Sequence, residues 1–231
     1  MQKNSDIKKS AAVLFYIAAA VLFLVYIAAD FIPGFLLSTA GRLVLLCLCC
    51  VSMWLGGYLF YRSGRGNKAM KINLRVYLVL FLLLFVTLTL FDPLWGRSGN
   101  GDFVWTKELF DAYTENSLNL VPFRTIAEYF TKGDLRQFIV NVAGNVVCLM
   151  PLGILLPLNF EKQKRPAIFL VTCAVIVLAV EILQFLTLAG SCDIDDLILN
   201  VGGAFSVYLI VKNEKAEKLL RYIFLCEGRA E

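Results

Sequence analysis

Long runs of apolar residues alternate along this chain with shorter polar connections. A bilayer core about 30 Å thick requires about 20 apolar residues per helix, so each run predicts a membrane-spanning helix. The predicted spans cover residues 11–32, 40–61, 72–91, 138–158, 167–188 and 194–211. The pattern therefore predicts an all-α fold, a polytopic transmembrane bundle of about six helices that forms one domain over residues 1–231.

Proline and glycine punctuate this pattern. Pro33–Gly34 is expected to end the first span, and Pro151 and Pro157 are expected to kink or shorten the fourth, because proline removes a helix hydrogen bond. A long polar segment, residues 92–137, joins spans three and four. Its last part, residues 126–137, predicts a short amphipathic helix broken at Gly133.

Composition agrees with a membrane protein. The chain is 59% hydrophobic and 17% charged, whereas soluble domains are roughly 45–50% apolar and about 25% charged. The first run is too long for a signal peptide and is expected to be retained. The formal net charge of +4 is too small to indicate a nucleic-acid partner, and the absence of histidine excludes catalysis or metal binding through imidazole.

The basic residues predict the orientation. Most of the 22 lysines and arginines lie before span one, after spans two and four, and after span six. Because basic residues concentrate in cytoplasmic connections, both termini are predicted to be cytoplasmic, with residues 92–137 as an outer loop and 212–231 as a cytoplasmic tail. The end of the tail could lie along the inner membrane surface or be a solvated helix end.

Polar side chains collect where spans five and six meet. Glu181 and Gln184 lie inside span five, and Asn200 lies inside span six. Between them is the acidic joint, residues 193–196, which contains Asp193, Asp195 and Asp196. Ionisable groups cost free energy in a membrane and by default suggest a functional site.

Three spans place polar groups at a similar depth. Asn145, Glu181 and Asn200 each lie about 10 Å inside the outer end of their span, at 1.5 Å per residue. A second set of polar residues lies above them, each on the same helix face as one of the first three: Asn141, Gln184 and Asp196. The spans are thus predicted to form an outward-open acid and amide pocket roofed by the outer loop. The amides could equally serve as hydrogen-bonding contacts between helices.

Arginine and cysteine side chains add two further candidates near this pocket. Arg124 of the outer loop is the candidate cationic partner of Glu181, because a carboxyl at this depth is expected to be protonated or paired. The seven cysteines form no CxxC motif and mostly fall in apolar runs, where they are expected to act as small buried hydrophobes. Cys192, beside the acidic joint, is the exception to test for reactivity.

The chain resembles the VanZ-like family in five ordered elements between about residues 117 and 211. They are Asn119–Thr125 (NLVPFRT), Asn141–Asn145 (NVAGN), Pro151–Pro157 (PLGILLP), Glu181–Gln184 (EILQ), and Asp193–Asn200 (DIDDLILN) with Gly203. Two positions depart from many relatives: Ala179 replaces a serine, and Gly190-Ser191-Cys192 stands where an arginine is common. The resemblance implies a multi-pass plasma-membrane protein of the cell envelope, in a family named for a protein that lowers teicoplanin sensitivity, mostly in Gram-positive bacteria.

Three functions follow as hypotheses. The first is an envelope enzyme acting on a cell-wall or lipid-linked substrate, with Glu181, Asp195 and Asp196 as catalytic groups. Its substrate would contact a set of polar residues: Arg124, Asn119, Asn141, Asn145, Gln184 and Asn200. A divalent cation held by Asp193, Asp195 and Asp196 is a further hypothesis, since hard cations prefer carboxylate ligands.

The second hypothesis is a protein that binds or shields the glycopeptide antibiotic or a cell-wall precursor without converting it. The third is a transporter of a small polar solute or lipid, since the prolines of span four could permit a moving helix. In all three the lipid bilayer is the surrounding partner.

Overall fold

The computed structural model describes residues 2–31, 37–91, 106–107, 110–111, 114, 117–132, 138–187 and 192–227. Within these ranges, six helical segments are long and apolar enough to cross a bilayer. They are Gln2–Ala29, Ala40–Arg65, Lys68–Leu90, Asn141–Asn159, Pro166–Leu186 and Ile194–Val211. This confirms the predicted all-α polytopic bundle, although the first helix begins nearer the amino terminus than residue 11.

The described helices and strands are as follows. In chain order they are α1 (Gln2–Phe31), α2 (Thr39–Phe60), a π-helical turn (Tyr61–Arg65), α3 (Lys68–Phe91), β1 (Leu118–Asn119), α4 (Arg124–Lys132), a π-helical turn (Ile139–Ala143), α5 (Gly144–Cys148), α6 (Leu152–Asn159), a 3-10 turn (Glu161–Lys164), α7 (Pro166–Leu186), β2 (Cys192–Asp193), α8 (Ile194–Val211) and α9 (Glu214–Leu225).

Some sequence predictions fall outside the described residues. They include Pro33–Gly34 and most of the outer loop, with Gly133. The predicted amphipathic helix at 126–137 is present as α4, which begins slightly earlier, at Arg124, and is described as far as Lys132. The orientation of the termini stays a prediction.

The chain forms two compact units. The first comprises Met1–Leu80 with Asn213–Glu231, and the second comprises Phe81–Lys212. In the first unit α1 packs closely on α2. A buried polar contact lies in its core: the Tyr16 hydroxyl donates to Asn73 Oδ1 at 3.0 Å, and Asn73 Nδ2 donates to the Met53 carbonyl at 2.5 Å.

The second unit is built around α8. Its Tyr208 ring stacks on Phe169 of α7 at 4.5 Å between centroids, and both side chains are buried. A Cβ atom at Gly203 would clash with the backbone of Val146, so the glycine allows α8 to approach α5 at backbone distance. Gly153 of α6 is similarly tight against the backbone of α8, with Ala204 O at 2.6 Å from a built Cβ atom.

Span four is not one continuous helix. It starts as a π-helical turn, continues as α5, breaks at Leu149–Pro151 and resumes as α6. The break at Pro151 agrees with the sequence prediction, whereas Pro157 lies inside α6, which extends to Asn159. The span therefore carries its interruption near the middle of its length.

Candidate functional site

Asp193 lies at the centre of the polar contacts of the second unit. It is 6% exposed and caps the start of α8, because its Oδ1 accepts the Asp195 N–H at 2.8 Å. The same oxygen accepts Asn119 Nδ2 at 2.9 Å, and Oδ2 accepts the Thr125 hydroxyl at 2.5 Å. One carboxylate thus joins the acidic joint to the segment Asn119–Thr125.

Backbone pairing reinforces this junction. β1 pairs with β2 in parallel, with Leu118 opposite Cys192 and Asn119 opposite Asp193. Asn119 also accepts the Val121 N–H at 3.1 Å, and its amide donates to the Thr125 hydroxyl at 2.9 Å. The strands are only two residues long, so the side-chain hydrogen bonds supply much of the connection.

Asp195 binds the start of α4. Its carboxylate accepts the N–H groups of Phe123 at 2.5 Å, Thr125 at 2.9 Å and Ile126 at 3.2 Å. The first N–H groups of a helix have no partner within the helix, and the helix dipole favours a negative charge there. Asp195 is 1% exposed, and its three hydrogen bonds hold the start of α4 in place.

Glu181 reaches the acidic joint from α7. Its Oε2 accepts the Asp193 N–H at 3.2 Å, and the side chain is 5% exposed. The structure thus places the Glu181 carboxyl beside the acidic joint. Glu181 meets the start of α8 directly.

Asn145, Asn200 and the Asp196 side chain form what we call the amide layer. Asn145 Nδ2 donates to Asp196 Oδ1, while Asn145 Oδ1 accepts Asn200 Nδ2 at 3.3 Å. Asn200 Nδ2 also donates to the Asp196 carbonyl at 2.8 Å. Among the residues that the structure describes, none donates a hydrogen bond to the buried Asn200 Oδ1. Asn200 itself is 4% exposed.

Gln184 and Asn141 lie elsewhere around the site. Gln184 is buried and donates from Nε2 to the Thr89 carbonyl of α3 at 3.0 Å. Asn141 is half-buried in the π-helical turn that begins span four. Such π-helical turns occur frequently at functional sites.

Arg124 has a different partner from the one expected. Its Nε donates to Glu128 Oε1 at 3.1 Å, four residues later on α4, and both side chains are largely exposed. The structure thus shows Arg124 in a surface ion pair, while Glu181 accepts a backbone N–H of the acidic joint.

The three aspartates do not converge on a common point. Asp193 and Asp195 face Asn119, Thr125 and the start of α4, whereas Asp196 faces Asn145. Within the described ranges, no three acidic or cysteine side chains are grouped to hold a metal ion. The donor set does not fit the divalent cation considered from the sequence.

Cys192 is a poor nucleophile in this environment. Burial raises the pKa of its thiol, and the nearby carboxylates of Glu181, Asp193 and Asp196 raise it further. The thiolate, which is the reactive form, is therefore disfavoured at neutral pH. Cys192 is half-buried, and all seven cysteines are free thiols.

Sequence reasoning missed two contributors. Thr125 ends the Asn119–Thr125 motif and was not predicted to be a site residue. Both its hydroxyl and its N–H donate hydrogen bonds to the acidic joint. Thr89 contributes a backbone carbonyl, which leaves no trace in a sequence. The sequence signal for Thr125 was its place six residues after Asn119 in the same polar motif.

The fold and these contacts define a polytopic helical membrane protein with a buried acid and amide site. A model of the VanZ/LLP1 family matches residues 76–219, and the chain belongs to this family. The match begins well before residue 117 and ends beyond residue 211, so it extends the predicted family core at both ends. The protein is a multi-pass bacterial membrane protein.

A curated relative agrees with this assignment. Protein VanZ of Enterococcus faecium is 30% identical over 142 residues, which cover 62% of this chain and 69% of the relative. No solved structure matches the chain at a significant level.

Proposed function

We propose that this protein is a cell-envelope membrane protein whose acid and amide site binds a cell-wall or lipid-linked substrate and contributes to glycopeptide (teicoplanin) resistance. The observation that carries the proposal is Asn200 Oδ1, a buried acceptor without a donor among the described residues. More than nine in ten buried polar groups have a hydrogen-bond partner, so such an exception calls for one.

The geometry favours two roles among the site residues, positioning of the outer segment and contact with substrate. Asp193 and Asp195 use their carboxylates to hold the Asn119–Ile126 segment, and we assign them a positioning role. Glu181 and Asp196 are the remaining acids of the site. With Asn141, Asn145 and Asn200 they form the group that we assign to substrate.

The chemistry of these groups indicates the kind of substrate. Carboxylates accept hydrogen bonds, and Asn200 Oδ1 is likewise an acceptor. A ligand rich in hydroxyl or amide N–H donors satisfies such a site, as a saccharide or peptide of a cell-wall precursor would. Arg124, exposed on α4, is the site's candidate for an anionic substrate group once it releases Glu128.

The proposal is tested by two substitutions that leave side-chain volume nearly unchanged. Glu181→Gln and Asp196→Asn should restore teicoplanin sensitivity while the protein remains in the membrane at normal abundance. Glu161→Gln is the control, because it removes an exposed acid outside the site. Full resistance in both site variants would contradict the proposal.

Catalysis and binding differ in their products. If Glu181 acts as a general acid or base, lipid-linked wall precursors should change when the protein is expressed, and the change should be lost in Glu181→Gln. If the protein only binds or shields, the precursor profile stays constant and purified protein in lipid binds precursor or antibiotic unchanged. Mass spectrometry of extracted precursors distinguishes the two.

A transporter is the second candidate, and the interrupted span four favours it. Helices commonly kink at proline, and at Leu149–Pro151 span four forms i→i+3 hydrogen bonds in place of the regular i→i+4 pattern. Solute counterflow in liposomes that is abolished by Asp196→Asn would support transport, and its absence with every tested wall precursor would contradict it.

A further inference from the structure

The tail helix α9 has one exposed face that is both apolar and basic. Leu219, Tyr222 and Ile223 are 58%, 40% and 37% exposed. Lys215 and Lys218 are exposed on the same side, since Lys215, Leu219 and Ile223 follow each other at i,i+4 spacing and Lys218 precedes Tyr222 by four. The face therefore combines a hydrophobic row with two ammonium groups.

The opposite face of α9 is fixed within the first unit. Leu225 is 3% exposed, and Arg221 forms ion pairs with Glu217 at 2.9 Å and Glu227 at 2.8 Å. Lys71 of α3 also pairs with Glu227 at 3.2 Å. The helix thus presents a defined face outward. Among the described residues, neither Lys215 nor Lys218 takes part in an ion pair.

The height of α9 is set by Trp54. The indole N–H of Trp54 donates to the Ile223 carbonyl at 2.9 Å. Trp54 lies within a predicted membrane span, about 9 Å before the end of α2 at Phe60. Interfacial helices bury their apolar face about 5–10 Å into the boundary between headgroups and acyl chains, a range that includes the axial spacing of about 9 Å between Trp54 and the end of α2.

Chain connectivity places the start of the helix at the same boundary. Span six ends at Val211, and α9 begins at Glu214 after only Lys212 and Asn213. Residue 214 is therefore within a few residues of the membrane surface. The start of α9 is therefore tethered by two residues to the end of a predicted membrane span.

From this geometry we infer that α9 is an interfacial helix whose Lys215 and Lys218 bind the phosphates of anionic lipids while Leu219 and Ile223 enter the acyl region. The partner is the anionic headgroup of the surrounding bilayer. Each lysine near such a surface strengthens binding about fivefold. The inference is independent of the proposed function.

Hydrogen exchange of the full chain in nanodiscs tests it. Discs are made of phosphatidylcholine alone or with about one third phosphatidylglycerol, and exchange is followed in residues 214–225. We expect exchange to be roughly fivefold slower per engaged lysine when phosphatidylglycerol is present. The double substitution Lys215→Gln with Lys218→Gln should remove this difference. The control Lys3→Gln with Lys162→Gln, equal in charge but on other elements, should retain it.

A second variant separates the apolar contribution. Leu219→Ser should speed exchange of the tail helix in both lipids if the side chain is in the membrane, whereas a solvated helix would tolerate it. Identical exchange in the two lipids, or persistence of the difference in the double variant, would overturn the inference. Protection that appears only in discs holding two chains would instead place a second copy on this face, and would also overturn it.

Discussion

The Asp195 carboxylate accepts a hydrogen bond from the Thr125 backbone N–H at 2.9 Å, across 70 residues of sequence. It accepts two more N–H groups from the same segment, those of Phe123 and Ile126. Asp195, a catalytic candidate by sequence, thus uses its carboxylate to accept backbone N–H groups. This relationship gives Asp195 a structural contact with the start of α4.

Substituting Asp195 should lower stability. Asp195→Ala leaves three N–H groups at the start of α4 without their acceptor, and hydrogen bonds to a charged group contribute about 1.5–3 kcal/mol. We expect a loss of at least this size, measured as a lower thermal unfolding midpoint in detergent. Asp196→Asn keeps an acceptor for Asn145 and should shift the midpoint far less. Equal midpoints for Asp195→Ala and the parent protein would show that the carboxylate does not hold α4.

Two adjacent glycines offer a matched test of helix packing. Gly203→Ala places a Cβ atom against the Val146 backbone, and such overpacking costs about 1–3 kcal/mol. Gly202→Ala meets nothing within 4 Å and should be neutral or slightly stabilising, since alanine favours the helix. Thermal unfolding of both variants gives the comparison. Equal effects at the two positions would show that α8 and α5 are not in close contact.

The ion pairs of Glu227 should make the first unit sensitive to acid. Burial acts to raise the pKa of Glu227, but hydrogen bonds and charge from Arg221 and Lys71 outweigh it and lower the pKa below its ordinary value of 4.5. A lowered folded-state pKa contributes stability above pH 4.5 that is lost as pH falls through the folded value. The partly exposed pairs limit this contribution to about 1 kcal/mol or less.

Unfolding midpoints measured between pH 7 and pH 3 check this contribution. Glu227→Gln should lower stability at pH 7, and the difference from the parent protein should shrink toward pH 3. A difference that stays constant across this range would rule out a contribution from the ionised carboxylate. Asp6→Gln, at an exposed pair of α1, serves as the comparison.

Cys192 should react slowly with an uncharged maleimide. Burial and the neighbouring carboxylates raise the pKa of its thiol, so little thiolate is present at pH 7. Glu181→Gln removes one of these carboxylates and should speed modification several-fold at the same pH. Mass spectrometry of the peptide containing Cys192 follows the reaction. An unchanged rate in Glu181→Gln would mean that Glu181 does not act on the thiol electrostatically.

The sequence predicted the spans well and the partners of the charged residues less well. Runs of apolar residues carry a strong signal, and all six predicted spans are present. Asn145 and Asn200 were predicted only to lie at a similar depth, and the structure joins them by a hydrogen bond of 3.3 Å. Arg124 and Gln184 could not be placed in this way. Arg124 pairs with Glu128, which lies four residues later on the same helix. Gln184 donates to the backbone carbonyl of Thr89, and a backbone contact cannot be predicted from the residue type.

The contacts of Asp193 and Asp195 also set an order of assembly during synthesis. Residues 118–126 leave the ribosome long before Cys192–Asp195, with which they pair. Chains synthesised from the amino terminus therefore expose this segment until spans four and five have been made and the start of span six has emerged. A chain truncated after residue 187 has its first five spans and no acceptor for α4. Completion of the site is thus one of the last events in the biogenesis of the protein.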